Sequence, residues 1–210
     1  MVVTHPQNPG MAILLAIVLG PFVTTGAARA AGDPEVTVER EGGRYSIHVE
    51  TLLKAPADQV RAVLLDYRHI YRLSPSITES AVLASGGGGR ARVRTVVESC
   101  VSAYCVKAAR VEDVEEGGAG EIRAVIVPEL SDFRFGVASW SIRAEGAATR
   151  VVYRAEVEPG FFVPPLLGTY FVKRNLRREV EGTLERLELI AGVNASDPGM
   201  VLAGVLGGSR

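Results

Sequence analysis

Between residues 35 and 54, hydrophobic and polar positions alternate. "EVTVER" and "RYSIHVETLLKA" flank the turn "EGG", with Tyr45, Ile47 and Val49 on one side and His48 on the other. That period belongs to half-buried extended chain. The period then changes. In "PADQVRAVLLDY" the residues Val60, Val63, Leu64 and Tyr67 recur at helical spacing, with Pro56 and Asp58 at the start, where a proline and an acid suit a helix N-terminus. "RHIYRLSPSI" predicts a short second helix that ends before Pro75, since the residue ahead of a proline disfavours helix. From Ile77 to Glu158, six segments read as strands: "ITESAVLAS", "RARVRTVVES", "YCVKAARVEDV", "EIRAVIV", "GVASWSIRAE" and "TRVVYRAEVEP". Turn signals such as "GGGG" and "EEGGAG" separate them, and the pattern predicts consecutive antiparallel pairing.

The last periodic element is "PPLLGTYFVKRNLRREVEGTLERLELIAG", residues 164–192, with a proline pair at its start and a glycine at its end. Leu176, Val180, Leu184 and Leu187 form its apolar stripe. With 35–54 counted as one strand, the fold class is α+β: a curved seven-stranded antiparallel sheet, two short helices after the first strand, and a long C-terminal helix. The sheet must bury one face, and the final helix is the large apolar partner available. A curved sheet gripping a long helix leaves room between them for a ligand. The domain is expected over 35–191, and residues 192–210, rich in glycine, read as a loosely ordered tail.

The N-terminus changes the picture of where this domain works. "MAILLAIVLGPFVTTG" is an apolar run starting at Met11, and Ala28-Arg29-Ala30 places small residues where a signal peptidase cuts. Residues 1–30 are expected to be a cleaved export signal, so the mature chain is expected to be periplasmic or secreted. The two cysteines, Cys100 and Cys105, lie in "ESCVSAYCVK". Their spacing is not that of a thioredoxin-type motif. A zinc site needs more ligands than the chain's three histidines provide nearby. In an oxidising compartment they are expected to form a disulfide across a hairpin whose tip is "VSAY". Closing so small a loop stabilises by only about 2 kcal/mol, so the bridge pins register locally. The net charge of −1 argues against a nucleic-acid binder. No metal site or cofactor motif stands out.

Two phrases carry a resemblance: "VETLLKAPADQVRAVLLDYRHIYRLSPSI" and "FFVPPLLGTYFVKRNLRREVEGTLERL". They resemble the opening and closing passages of the START-like (SRPBCC) helix-grip superfamily, in its polyketide cyclase/dehydrase and lipid-transport, coenzyme-Q-binding-like branch. The resemblance covers roughly residues 40–190. It implies the helix-grip fold and a protein that holds a hydrophobic molecule (a lipid, a quinone or a polyketide-like compound) between sheet and helix. Its motifs are structural and do not specify chemistry.

Within such a fold, Trp140 and Tyr153 fall on strand faces that form either cavity wall or packed core. Phe161, Phe162, Leu167, Tyr170 and Phe171 cluster before and within the helix start, bordering a cavity mouth or stapling the helix. Among acids and bases, His48 and His69 read as surface residues, Asp66 as a cap, and Glu129 with Asp132 as loop acids. No catalytic residue is singled out. Lys173, Arg174, Arg177 and Arg178 form a basic cluster suited to transient contact with a membrane surface or to a solvated face. The expected function is an exported carrier of a hydrophobic ligand. The alternatives are a cyclase/dehydratase-like enzyme with a polar group buried in the cavity, or a ligand-free partner of an envelope complex.

Overall fold

The computed structural model describes residues 34–101, 104–163 and 168–196, with the side chains of 101 and 168–172 excepted. The expected export signal, residues 1–30, and residues 197–210 lie outside the described residues. The elements are β1 (Glu35–Glu41), β2 (Arg44–Leu53), α1 (Ala57–Leu65), a 3-10 turn (Tyr67–Arg72), β3 (Ile77–Gly86), β4 (Arg90–Val101), β5 (Tyr104–Glu116), β6 (Glu121–Ile126), β7 (Phe133–Glu145), β8 (Ala148–Pro159) and α2 (Gly168–Ser196). Among the described residues they form one antiparallel sheet of eight strands in the order β1-β2-β8-β7-β6-β5-β4-β3. The expected seven strands become eight because Gly42, at φ 59°, reverses the chain and splits 35–53 into a hairpin. The short helices therefore follow the second strand.

Alternation decides which face is inside. Val36 pairs with Val49, Val49 with Tyr153, Tyr153 with Trp140 and Trp140 with Ile122. This row crosses five strands on a single face, because side chains at directly paired positions lie on the same side of a sheet. Ile47, Ala155, Ala138 and Ala124 make the adjacent row and are buried. Helix α1 adds Val60, Val63 and Leu64 to this core. Its entry is fixed by Thr149 Oγ1, which is buried and donates to Ala55 O at 2.6 Å.

Helix α2 packs against α1, β1 and β4. Arg177 Nη2 donates to Val36 O on β1 at 2.6 Å, and Asn175 Nδ2 donates to Ser99 Oγ on β4 at 3.1 Å. One strand is an edge of the sheet and the other lies next to the opposite edge. Two residues in the same helical turn touch both, so the sheet curls around the helix. Among the described side chains of the helix, Leu187 and Ala191 are buried, and Glu188 accepts from the Lys54 amide at 2.8 Å. The helix runs on to Ser196 rather than ending at Gly192. A helical glycine costs only about 1 kcal/mol, and the burial of Ala191 one residue earlier outweighs it.

Gly136, on the inner face of β7, marks a close approach. A Cβ there would sit 2.3 Å from Ile126 Cδ1 and 2.8 Å from its Cγ1. Ile126 crosses this gap to fill the core between β6 and β7. Gly136→Ala is expected to lower unfolding free energy by about 1–3 kcal/mol in urea titration, the usual range for overpacking. Gly118→Ala, where no atom lies within 4 Å of the added Cβ, should change it by less than about 0.5 kcal/mol.

Candidate functional site

Trp140 on β7 and Tyr153 on β8 stand directly opposite one another on the inner face. Their ring centroids are 4.8 Å apart with planes tilted by 41°. Leu176, Val180 and Leu184 of α2 pack against the same core cluster. All five are only half-buried, although they belong to the face that meets the helix. Tyr153 makes the reason explicit. Surrounding protein desolvates its hydroxyl and pushes its pKa up to about 12, with Glu112 adding to the rise and Arg110 opposing it. Tyr153 is thus surrounded by protein on most sides and keeps some accessible surface on the inner face.

The same inner face has a polar patch. Arg110 and Glu112 are two residues apart on the inner face of β5, with Arg110 Nε 3.0 Å from Glu112 Oε2. The approach is close but not along the N–H, so Arg110 Nε has no hydrogen-bond partner in the protein. Thr95 lies directly opposite Arg110 on β4. It is 2% exposed, and its hydroxyl is also unpartnered. Glu112 is 9% exposed. Buried polar atoms nearly always find partners; here the Thr95 hydroxyl has none and Arg110 Nε has only its ion pair with Glu112, so polar capacity is left over on this strand pair. Sequence reasoning does not single out these residues. In "VKAARVEDV" charges fall on both alternation phases, and the one sign is that Arg110 and Glu112 share a phase with Ala108 and Val114.

Nearer α1 a second polar group appears. Arg61 Nη2 meets Glu116 Oε2 at 2.8 Å. The Tyr67 hydroxyl beside them is buried without a partner. Burial chiefly, then Glu116, raises its pKa to about 12 against the opposing pull of Arg61.

The opposite end of β4 and β5 carries the disulfide, Cys100–Cys105. Both cysteines are exposed on the outer face, while their neighbours Ser99 and Tyr104 lie on the inner one. Tyr104 OH donates to Phe162 O, which ties the hairpin to the segment leading into α2. Phe161 packs edge-on against Phe133 with centroids 5.5 Å apart, whereas Phe162 is 70% exposed. Leu167 lies outside the described residues, as do the side chains of Tyr170 and Phe171.

The remaining acids and bases have structural places. Asp132 Oδ2 accepts from the Ala109 amide at 2.7 Å, clipping its loop to β5. Asp66 accepts from His69 Nδ1 at 2.8 Å and from Arg72. His48 sits on the outer face opposite Arg154. Two open depressions of about 300 and 390 Å3 on that outer face are edged by long charged side chains, Glu39, Arg154 and Glu156 in one and Arg92, Asp113 and Glu115 in the other. They lie on the side of the sheet away from the orphaned polar atoms.

Known proteins agree with this geometry. The family described as polyketide cyclase / dehydrase and lipid transport matches residues 44–191. No curated protein matches the chain. Among solved structures, the Thermus thermophilus protein TTHA0849 is 24% identical over 72% of this chain and 99% of its own, with a TM-score of 0.60. The Zhui aromatase/cyclase from Streptomyces sp. R1128 is 17% identical over 74% and 98%, also at 0.60. The STAR-related lipid transfer protein from Xanthomonas axonopodis is 17% identical over 74% and 99%, at 0.55. At these identities the likeness is one of fold; the family match over most of the described residues is what shows membership: the chain belongs to the polyketide cyclase / dehydrase and lipid transport family.

Proposed function

We propose that the mature protein is an exported carrier that holds one hydrophobic molecule between the sheet and α2. The observation that carries this reading is the half-buried apolar row of Trp140, Tyr153, Leu176, Val180 and Leu184 where the inner face meets α2. The ligand's flat or aliphatic body packs on Trp140, Leu176, Val180 and Leu184. Its polar end, a carbonyl, phenol or carboxylate oxygen, accepts from Arg110 and Thr95. A guanidinium offers five donors, and Glu112 engages only one side of it. Export rests on the apolar run from Met11 and the small residues at 28–30, and an exposed disulfide is in keeping with an oxidising compartment. Transient contact with anionic lipid through the exposed Phe162, Arg174 and Arg178 belongs to the same proposal.

A second reading is favoured by the same polar patch. In a cyclase-like enzyme Arg110 would polarise a substrate carbonyl, and Tyr153, kept neutral at ordinary pH by a pKa pushed up to about 12, would serve as hydrogen-bond donor. Turnover of a polyketide-like substrate separates the two readings.

The chain's single tryptophan, Trp140, is an internal reporter. Titration with 1-anilinonaphthalene-8-sulfonate, whose rings end in an anionic head, is expected to change Trp140 emission saturably. Arg110→Met should weaken that binding about tenfold, the worth of one charge-assisted hydrogen bond. The same variant should leave the uncharged N-phenyl-1-naphthylamine within about twofold, because apolar contact alone holds it. Equal loss for both probes, or no saturable signal from either, defeats the reading.

Burial also sets a pH dependence. The folded pKa of Tyr153 and Tyr67 is about 12 against an ordinary 10.0. Above the ordinary value the unfolded chain loses these protons first, so stability is fully present below about pH 10 and falls as pH rises toward 12. Urea midpoints between pH 9 and 11.5 are expected to drop, and the drop should be shallower in Tyr153→Phe. A midpoint that is flat over that range would show that neither hydroxyl is desolvated.

A further inference from the structure

The β4–β5 hairpin tip joins an outward chemical handle to two inward tethers. Alternation places Cys100 and Cys105 on the outer face, where both are exposed. The residue next to each cysteine points the other way. Ser99 accepts from Asn175 of α2 at 3.1 Å, and Tyr104 donates to Phe162 O, just ahead of α2. Among the described residues, these are the hydrogen bonds that hold the hairpin tip to the helix and its approach. The cysteines are a directly opposed pair, with one further pair, Val101 and Tyr104, between them and the turn.

We propose that Cys100–Cys105 is a reversible thiol–disulfide exchange site, and that its reduction releases the N-terminal half of α2 from the hairpin tip. First, exchange requires a thiolate to reach a disulfide sulfur, and both cysteines are exposed. Second, the bridge closes a very short loop. Such a loop removes little entropy from the unfolded chain, so its opening leaves the fold standing. Third, hairpin ends fray unless something holds them. The pairs that would fray first, Val101–Tyr104 and then Cys100–Cys105 with Ser99–Val106 behind it, include both tether residues.

The reductant is a dithiol. One of its thiolates attacks a protein sulfur and forms a mixed disulfide, and the other cysteine leaves as a thiolate and takes a proton. The second thiol of the reductant then resolves the mixed disulfide. Two electrons and two protons pass to the protein, which ends with two thiols, and the reductant ends as a disulfide. With the tip frayed, α2 loses its tie to β4 and to Tyr104 but keeps Arg177 on Val36 O, Ser74 on Glu179 and, further along, Leu187, Ala191 and Glu188, so its first turns gain freedom on the β4 side. Leu176 and Val180 lie beside Asn175 on that loosened stretch. The consequence for cargo rests on the carrier reading above: the reduced form exchanges its ligand faster.

The test uses the full chain, oxidised or treated with millimolar dithiothreitol in native buffer. Maleimide labelling is expected to find two reactive thiols only after reduction. Amide hydrogen exchange at residues 173–180 should speed by about fivefold or more on reduction, with β2 and β8 unchanged, as for local opening. Release of bound N-phenyl-1-naphthylamine should quicken by about threefold or more, a change confined to the off-rate. The Cys100→Ser/Cys105→Ser variant should match the reduced protein and ignore dithiothreitol. Tyr104→Phe combined with Asn175→Ala should reproduce the faster exchange while the disulfide stays intact. A disulfide that resists the reductant, unchanged exchange at 173–180, or uniform loss of protection through the whole sheet each overturns the proposal. If the probe binds neither form, the carrier reading falls, and exchange at 173–180 still decides whether the bridge governs the helix.

Discussion

Everything in this molecule depends on how far one sheet curls. Arg177 bonded to β1 and Asn175 bonded to β4 stand in one turn of α2, so the sheet must bring strands from its two ends to the same place. A flat sheet of eight strands at about 4.8 Å spacing would hold β1 and β4 roughly 29 Å apart. Twist, the hairpin at Gly42 and the irregular pairing between Phe133 and Phe135 let the sheet bend. The curl converts the inner face into walls that oppose one another. Tyr153 on β8 and the Arg110–Glu112 pair on β5 influence each other electrostatically although two strands separate them in the sheet.

The polar patch on those walls is not explained by stability. An ion pair taken out of water gains little over apolar residues of the same shape, and replacing such a pair is often neutral or stabilising. Arg110 and Glu112 lie among Ala108, Val114, Val93 and Ile126, all buried and apolar. Thr95 adds a hydroxyl with no partner. A sequence optimised only for a filled core would place valine at these three positions. The proposed site for a hydrophobic molecule with a polar end would account for both halves of the inner face, apolar at Trp140 and polar at Arg110.

Much of this is legible in sequence, and what is not has a physical reason. The strands from Ile77 to Glu158 follow from period-two alternation broken by glycine turns, and the long helix follows from Leu176, Val180, Leu184 and Leu187. The expected strand count falls one short because "EGG" reads as a turn within extended chain, whereas Gly42 at positive φ closes a full hairpin. Trp140 and Tyr153 are recognisable as inner-face residues from alternation. Their mutual contact depends on the β7–β8 register, which local pattern does not carry. Arg110 and Glu112 stay hidden for a related reason. Both phases of β5 hold charged residues, so only pairing with Thr95, Val93 and Ile126 reveals which phase faces inward.

The two ends of the interior differ, and the difference bounds what fits between them. Helix α1 occupies one end, where Arg61 and Glu116 bridge it to β5. At the other end lie the disulfide hairpin, Phe161 and the exposed Phe162. Arg110 stands five residues from Cys105 along β5, and at about 3.4 Å per residue that is roughly 17 Å from rim to polar patch. A ligand anchored by its head at Arg110 and entering from the hairpin end therefore has a body of that length or less inside the protein. A few fused rings or one acyl chain of middle length satisfies the limit. Under the carrier proposal, a single-bodied amphiphile, flat or slender, with an oxygen at its leading end is the cargo that meets this length and the polar patch together.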